Sequence, residues 1–234
     1  MKPIPDSRVR RTYRVRVALF IVSAVLLVFL LSYLYQGIQT LYTLDEIESE
    51  RDQWQRPTDV IQALNIREGS VVVDLGSGVG YFTLKLSPLV GKNGVLVAED
   101  IRQESLVFLG IRAFLRGEHN VKTIRGETDD PRLPIDFADA VLISNTYHEL
   151  TEPKLILHHL ADSLKPGARL VIVDRGPRSG TAESRDAQAK HHELRPDLVE
   201  AEVRDAGFKI ILRQDRFIDR AADDQLWWLI VAQK

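Results

Sequence analysis

The 234-residue chain contains no cysteine, so disulfides, thiolate metal centres and cysteine nucleophiles are all excluded. The redox compartment stays open, because a cysteine-free chain suits either side of a membrane. There is no internal repeat and no low-complexity tract. Hydrophobic and charged shares of 44% and 27% are those of an ordinary folded protein rather than a disordered one. The length has room for one α/β domain and a short appendage, not for two globular domains.

Net positive charge is confined to the N-terminus. Residues 1–44 carry Lys2, Arg8, Arg10, Arg11, Arg14 and Arg16 against Asp6, a net of +5, which leaves −7 for residues 45–234 of a chain whose total is −2. Affinity for a phosphate backbone comes mainly from Lys and Arg displacing counterions, so nucleic acid is a disfavoured partner.

Val17 to Tyr35 is a run of 19 residues without a formal charge. As a helix it would reach roughly 28 Å, close to the thickness of a bilayer's hydrocarbon core. Tyr33, Tyr35 and Tyr42 lie near its far end, where amphipathic rings favour the interface. The run is longer than a usual signal-peptide core and no small-x-small cleavage site follows it, which favours an uncleaved anchor. Five arginines precede the span, whereas Asp45, Glu46, Glu48 and Glu50 follow it. Basic flanks stay in the cytoplasm, so the expected topology is single-pass in a bacterial inner membrane, N-terminus cytoplasmic and globular domain periplasmic. The predicted organisation is a basic tail at 1–16, a transmembrane helix at 17–35, a linker with a helix over 44–56, and an α/β domain at 57–234.

A short helix is predicted over 58–64 with Thr58 as its N-cap. Ser70 to Leu75 reads as a buried strand, followed by Gly76-Ser77-Gly78-Val79-Gly80 and an amphipathic helix from Tyr81 to Val90. Strand, glycine loop, helix is the order used to bind nucleoside cofactors, since glycines permit backbone approach and the helix start supplies free N–H groups. The pattern Asp74-x-Gly76-x-Gly78-x-Gly80 differs from the GxGxxG spacing that seats a pyrophosphate, which disfavours a dinucleotide oxidoreductase. An acidic residue at the strand end suits a nucleoside with a cationic amino-acid tail.

Val71 to Ser87, VVVDLGSGVGYFTLKLS, resembles motif I of the class I S-adenosylmethionine-dependent methyltransferases. The resemblance continues through a second strand ending at Glu99-Asp100-Ile101, a third at 120–127, and a fourth at 138–145 that runs into Thr146-Tyr147-His148-Glu149. This last stretch is similar to the N-x-Y-H-E signature of a bacterial branch of that family, as is Arg51-x-x-Trp54-Gln55-x-Pro57 ahead of motif I. A helix over 152–164, a stop at Lys165-Pro166-Gly167, a fifth strand at 168–174, a last helix at 197–206 and a hairpin of strands at 208–217 and 226–232 complete the template. The fold implied is a Rossmann-like, doubly wound, mostly parallel seven-stranded sheet with a terminal antiparallel hairpin.

The resemblance implies S-adenosylmethionine as cofactor, held by Asp74, Gly76, Ser77, Gly78, Gly80, Tyr81, Asp100 (or Glu99), Glu127, Thr128 and Asn145. The implied catalytic residues are His148, Tyr147 and His192. His148 comes first, because imidazole titrates near neutrality and suits an acceptor that must lose a proton. His148, His191 and His192 offer ligands of the right type for a metal, since imidazole and carboxylate bind metals well, but no HExxH-type spacing supports a site and no metal is expected. Asn145-Thr146-Tyr147-His148 lacks both prolines of the Asn/Asp-Pro-Pro-Tyr motif of amino-methylating DNA enzymes. Small or lipid-like acceptors remain, and the anchor favours the latter. The alternative is a non-catalytic methyltransferase-fold subunit of an integral membrane complex of respiratory or photosynthetic type, since the cofactor is made in the cytoplasm and the domain is expected outside it.

Overall fold

A computed structural model describes residues 7–178 and 183–234, so the first six residues of the basic tail lie outside the described residues. Helix α1 is continuous over Ser7–Trp54. The expected span at 17–35 and the linker helix at 44–56 are therefore one element. No proline falls between Pro5 and Pro57 and Gly37 is the sole glycine there, a penalty of about 1 kcal/mol that a long helix absorbs. Among the described residues, one helix is long and apolar enough to cross a membrane, and it lies in α1.

The second compact unit begins at Trp54, three residues ahead of the expected boundary. It opens with α2 (Pro57–Leu64). Pro57 takes the first helical position, where its missing N–H is not needed. The N-cap is thus Arg56, with no side-chain cap, and not Thr58. There follow β1 (Val71–Leu75), α3 (Thr83–Val90), β2 (Val95–Asp100), α4 (Gln103–Leu115), β3 (Val121–Arg125) and β4 (Ala138–Ser144). After a 3-10 turn at Tyr147–Glu149 come α5 (Pro153–Ser163), β5 (Leu164–Gly176), α6 (Arg185–Lys190), α7 (Pro196–Asp205), β6 (Lys209–Arg220) and β7 (Gln225–Gln233).

The seven strands form one sheet in the order β3-β2-β1-β4-β5-β7-β6. The first five are mutually parallel, and β7 runs antiparallel to both β5 and β6. Strands covered on both faces read as continuous apolar runs, and Val71-Val72-Val73 and Val141-Leu142-Ile143 do so. Alternation sends Val73, Val141, Ile143, Leu170, Ile172 and Trp228 to one face, against Ile156 and Leu160 of α5 and Val199 and Val203 of α7. Val72, Ala140, Leu142, Val171 and Trp227 face the other way, against Val60 and Leu64 of α2 and Leu86 and Val90 of α3.

Three elements differ from expectation. Helix α4 had no counterpart in the sequence reading, because apolar residues surround it: Leu106 and Leu109 are buried while Val107, Ile111 and Phe114 are exposed, which blurs the stripe that marks an amphipathic helix. Lys165-Pro166-Gly167 does not stand outside the sheet. Strand β5 already begins at Leu164, paired with Ala138, and a pairing irregularity accommodates the turn-forming residues. The segment before the last helix, expected as a loop, contains α6, whose N-cap Ser184 accepts from Ala187 N–H.

Candidate active site

Strand order reverses between β1 and β4, which makes the carboxyl ends of these strands the place where ligands bind in open α/β sheets. Gly76, Gly78 and Gly80 all adopt positive φ in the loop after β1. The loop is held by carboxylates: Gly76 N–H points to Glu99 Oε2 at 3.4 Å, and Gly78 N–H donates to Asp100 Oδ2 at 2.9 Å. Ser77 N–H donates to the Glu99 carbonyl at 2.9 Å. From α4, the buried Arg112 donates through Nη1 to the Val79 carbonyl at 2.6 Å. Asp74 is 3% exposed and accepts from Thr83 Oγ1 at 2.6 Å, so it braces the start of α3.

A site for a nucleoside cofactor is consistent with these residues. A Cβ at Gly78 would meet nothing within 4 Å, so the loop presents bare backbone there. Ser77 Oγ and Asn145 Oδ1 are buried without a protein hydrogen-bond partner, and buried polar atoms of that kind call for one. Asn145 also has φ 55°, a left-handed conformation uncommon for a side-chain-bearing residue and frequent at functional sites. Asp100 Oδ1 accepts from Arg102 N–H at 2.8 Å and Nε at 3.3 Å. Glu99 is buried beside Asp100 and Asp74, and burial, followed by the repulsion of those two carboxylates, pushes its pKa up to about 8.

Strand β4 meets the loop through Thr146, whose Oγ1 lies 3.3 Å from the Gly76 carbonyl. The next turn carries His148, 3% exposed, with Nδ1 2.8 Å from Oδ1 of Asp174 at the end of β5. Asp174 is fully buried. Its Oδ2 accepts the backbone N–H of His148 at 3.0 Å and its Oδ1 that of Arg175 at 2.7 Å. This acceptor-only environment assigns the proton to Nδ1 of His148 and leaves a lone pair on Nε2. Nε2 faces His192 Nδ1 at 3.3 Å and Glu149 Oε1 at 3.7 Å. Thus the structure brings His148 and His192 together across 44 residues.

Other expected residues are placed differently. Tyr147 is fully buried among core side chains, its hydroxyl donating to Glu202 Oε2 of α7 at 2.7 Å. Burial and then the Glu202 carboxylate push its pKa upward. Arg185 of α6 completes the clamp, reaching Glu202 at 3.0 Å and the Leu150 carbonyl at 3.0 Å. Tyr147 is therefore a packing residue that fixes the turn carrying His148, not a group presented to a ligand. Tyr81 is likewise buried, edge-on to Phe82 with Lys85 Nζ over its ring. Glu127 and Thr128 are exposed after β3, and Glu127 is occupied by Arg132 at 2.6 Å. Asp174 and Arg112 were not singled out from sequence, and Thr146 and Glu149 stood only in the stretch similar to the N-x-Y-H-E signature, with no role given to them. Asp174 ends a strand that reads as plain core, and nothing in its spacing pairs it with a histidine 26 residues earlier.

A glycine loop clasped by the acidic end of β2, at the reversal of a seven-stranded sheet whose last strand pair is antiparallel, defines a nucleoside-cofactor-binding α/β protein. A family model described as a methyltransferase domain matches residues 66–215, and the chain belongs to that family. Among curated relatives, it is 34% identical over 124 residues to "Ubiquinone/menaquinone biosynthesis C-methyltransferase UbiE" of Proteus mirabilis, covering 52% of this chain and 48% of the relative. The same-named protein of Citrobacter koseri is 28% identical over 187 residues, covering 68% and 73%. The match thus spans about half the length of the first of these relatives. Of solved structures, a SAM-dependent methyltransferase from Aquifex aeolicus superposes with a TM-score of 0.67 at 24% identity, over 79% of this chain and 92% of that one. Phosphoethanolamine N-methyltransferase 2 of Haemonchus contortus, in complex with S-adenosyl-L-methionine, gives 0.64 at 14% identity, over 77% and 52%. These two likenesses establish the fold.

Proposed function

We propose that this chain is an S-adenosylmethionine-dependent C-methyltransferase acting on a ring-hydroxylated, lipid-like acceptor of the quinol class. The observation that carries this reading is the His148–Asp174 pair at the mouth of β4, joined to the glycine loop through Thr146. The names of the curated relatives support the acceptor class.

S-adenosylmethionine, when bound, supplies an electrophilic sulfonium methyl. The loop 76–80, Ser77 Oγ, Asp100 and Asn145 Oδ1 are the groups that would hold it, with Asp100 on the ribose hydroxyls. His148 Nε2 takes the proton from an acceptor hydroxyl, which drives electron density onto the ring carbon that receives the methyl. Asp174 holds the imidazole in the required tautomer and stabilises the positive charge it acquires. The ring proton at the methylated carbon then leaves to water and His148 returns its proton to the oxygen, which restores the hydroxylated aromatic ring and leaves S-adenosylhomocysteine as the by-product. Alignment of acceptor and methyl supplies much of the remaining acceleration. The test is transfer of labelled methyl from S-adenosylmethionine to a quinol lacking its ring methyl, by the full chain in detergent micelles. Label in the quinol fraction, lost in His148→Ala, supports the reading; label in neither sinks it.

The anchor belongs to the same reading. Helix α1 would hold the domain at the bilayer where such an acceptor resides, and the enzyme reading requires the domain on the cytoplasmic side. The basic residues before the span and the acidic ones after it support the opposite orientation, with the N-terminus cytoplasmic and the domain outside. That orientation favours a second reading, a methyltransferase fold retained as a subunit of a membrane complex, because the domain then faces away from the compartment that makes the cofactor. A C-terminal reporter active only in the cytoplasm separates the two. Activity there removes the basis for the second reading, and silence there strengthens it.

A further inference from the structure

We propose that His148, Glu149 and His192 form a binding site for one zinc-type divalent transition-metal ion. Each offers one ligand atom, and these atoms all lie within 4.8 Å of one another. The two imidazole nitrogens, His148 Nε2 and His192 Nδ1, are 3.3 Å apart with their rings nearly perpendicular, at 87°. That separation is long for an N–H···N hydrogen bond. It matches the edge of a tetrahedron around zinc, since Zn–N bonds of 2.0–2.1 Å place two nitrogens about 3.3–3.4 Å apart. Glu149 Oε1, 3.7 Å from His148 Nε2, closes to the corresponding N···O edge with a small side-chain rotation of an exposed residue.

The groups behind the ligands have the form such sites require. A metal-binding imidazole almost always donates its other N–H to a carboxylate or carbonyl, which aims its lone pair at the ion. His148 does this, through Nδ1 to the fully buried Asp174 at 2.8 Å. His192 is held at φ 56°, with its N–H on the Ala189 carbonyl at 2.9 Å. Two residues on, Leu194 N–H donates to the Arg175 carbonyl at 2.8 Å and the Leu194 carbonyl accepts from Trp228 Nε1 at 2.8 Å. The left-handed residue is thereby fixed beside the end of β5, and its exposed side chain reaches His148. Two nitrogens and one carboxylate leave a fourth position open, as in catalytic rather than structural zinc sites. The ligand positions 148, 149 and 192 follow no recognised metal motif, so the sequence offered His148 and His192 as ligand types but no spacing that joined them with Glu149.

Metal binding itself does not depend on the methyltransferase reading; only its use does. With the ion bound His148 Nε2 is a ligand and no longer the base, so an acceptor hydroxyl at the fourth position would be acidified by the ion and lose its proton to water.

The full chain in detergent micelles, freed of metal by chelation, is titrated with Co(II), and the visible ligand-field absorption is followed before displacement by Zn(II). One Co(II) per chain is expected, with the intense band of a tetrahedral site abolished by one equivalent of Zn(II). Separate His192→Ala and Glu149→Gln variants should each weaken Co(II) binding at least 10-fold, and Asp174→Asn by 10–100-fold. S-adenosylmethionine affinity, measured on the same samples by calorimetry, should stay within about twofold in His192→Ala and Glu149→Gln. No saturable band in the parent chain, or an unchanged band in both ligand variants, overturns the site. Loss of S-adenosylmethionine binding with the cobalt band intact would instead strike the methyltransferase reading and leave the metal site standing.

Discussion

Thr146 packs directly on Gly76: a Cβ built on Gly76 would lie 2.2 Å from Thr146 Cγ2. This contact joins the second residue after β4 to the glycine loop after β1, and so couples the cofactor side of the site to the turn that carries His148. Gly76 also sits at φ 71°, where a side chain is strained even without the clash.

Gly76→Ala should therefore destabilise the fold by about 2–4 kcal/mol, combining overpacking with left-handed strain. It should also weaken S-adenosylmethionine binding. Thr146→Gly in the same chain should recover the clash but not the strain, restoring part of the lost melting temperature. Additive losses in the double variant would show that the two residues do not share this contact.

Asp174→Asn tests the orientation of His148. The amide can no longer act as acceptor-only partner, and the imidazole loses both its tautomer and its charge stabilisation. Methyl transfer to a hydroxylated acceptor should fall by roughly 10²–10⁴-fold. S-adenosylmethionine affinity should change little, because the hydrogen bonds of Asp174 go to His148 and Arg175. An equal loss in affinity would place Asp174 in the cofactor site instead.

Glu99 has a measurable pH signature. Its pKa is raised from 4.5 to about 8 in the fold, by burial and by Asp100 and Asp74. Between those values the unfolded chain has released a proton that the folded chain still holds, so this group's contribution to stability is full below about pH 4.5 and is lost as pH rises toward 8. Glu99→Gln removes the dependence. Denaturant unfolding across pH 5–8 should show the parent chain losing ground to Glu99→Gln, by on the order of 1–3 kcal/mol at pH 8. Parallel curves would mean that Glu99 is ionised throughout.

Arg112 should matter through the loop it supports. Its guanidinium is buried in α4 and bonded to the Val79 carbonyl. Arg112→Met preserves much of the volume but leaves that carbonyl without its charged donor, a loss of about 1.5–3 kcal/mol. Calorimetric titration with S-adenosylmethionine should show roughly tenfold weaker binding. Unaltered affinity would mean that the loop keeps its shape without the donor.

Much of the sheet was legible in the sequence, because its strands are buried on both faces and read as short apolar runs separated by glycine turns. Val71 to Leu75 and the glycines after it identified the strand and the loop together. Helix α4 was not legible, since Val107, Ile111 and Phe114 are apolar on its exposed side. Half of the site was hidden for a different reason. His148 meets Asp174 and His192 through the third dimension, and no local pattern shows that Asp174 turns from the core towards a histidine. Tyr147 was misleading for the converse reason: beside His148 in sequence, it projects the opposite way, to Glu202. The apolar run and the linker helix merged into one because charge, which separates them in the sequence, does not interrupt a helix.

The most direct measurement is calorimetric titration of the full chain in detergent micelles with S-adenosylmethionine, alongside an Asp100→Asn variant. Saturable binding of one molecule per chain, weakened at least tenfold by Asp100→Asn, is the expected result. Absence of binding to a chain shown by circular dichroism to be folded would contradict the assignment of the glycine loop as a working cofactor site.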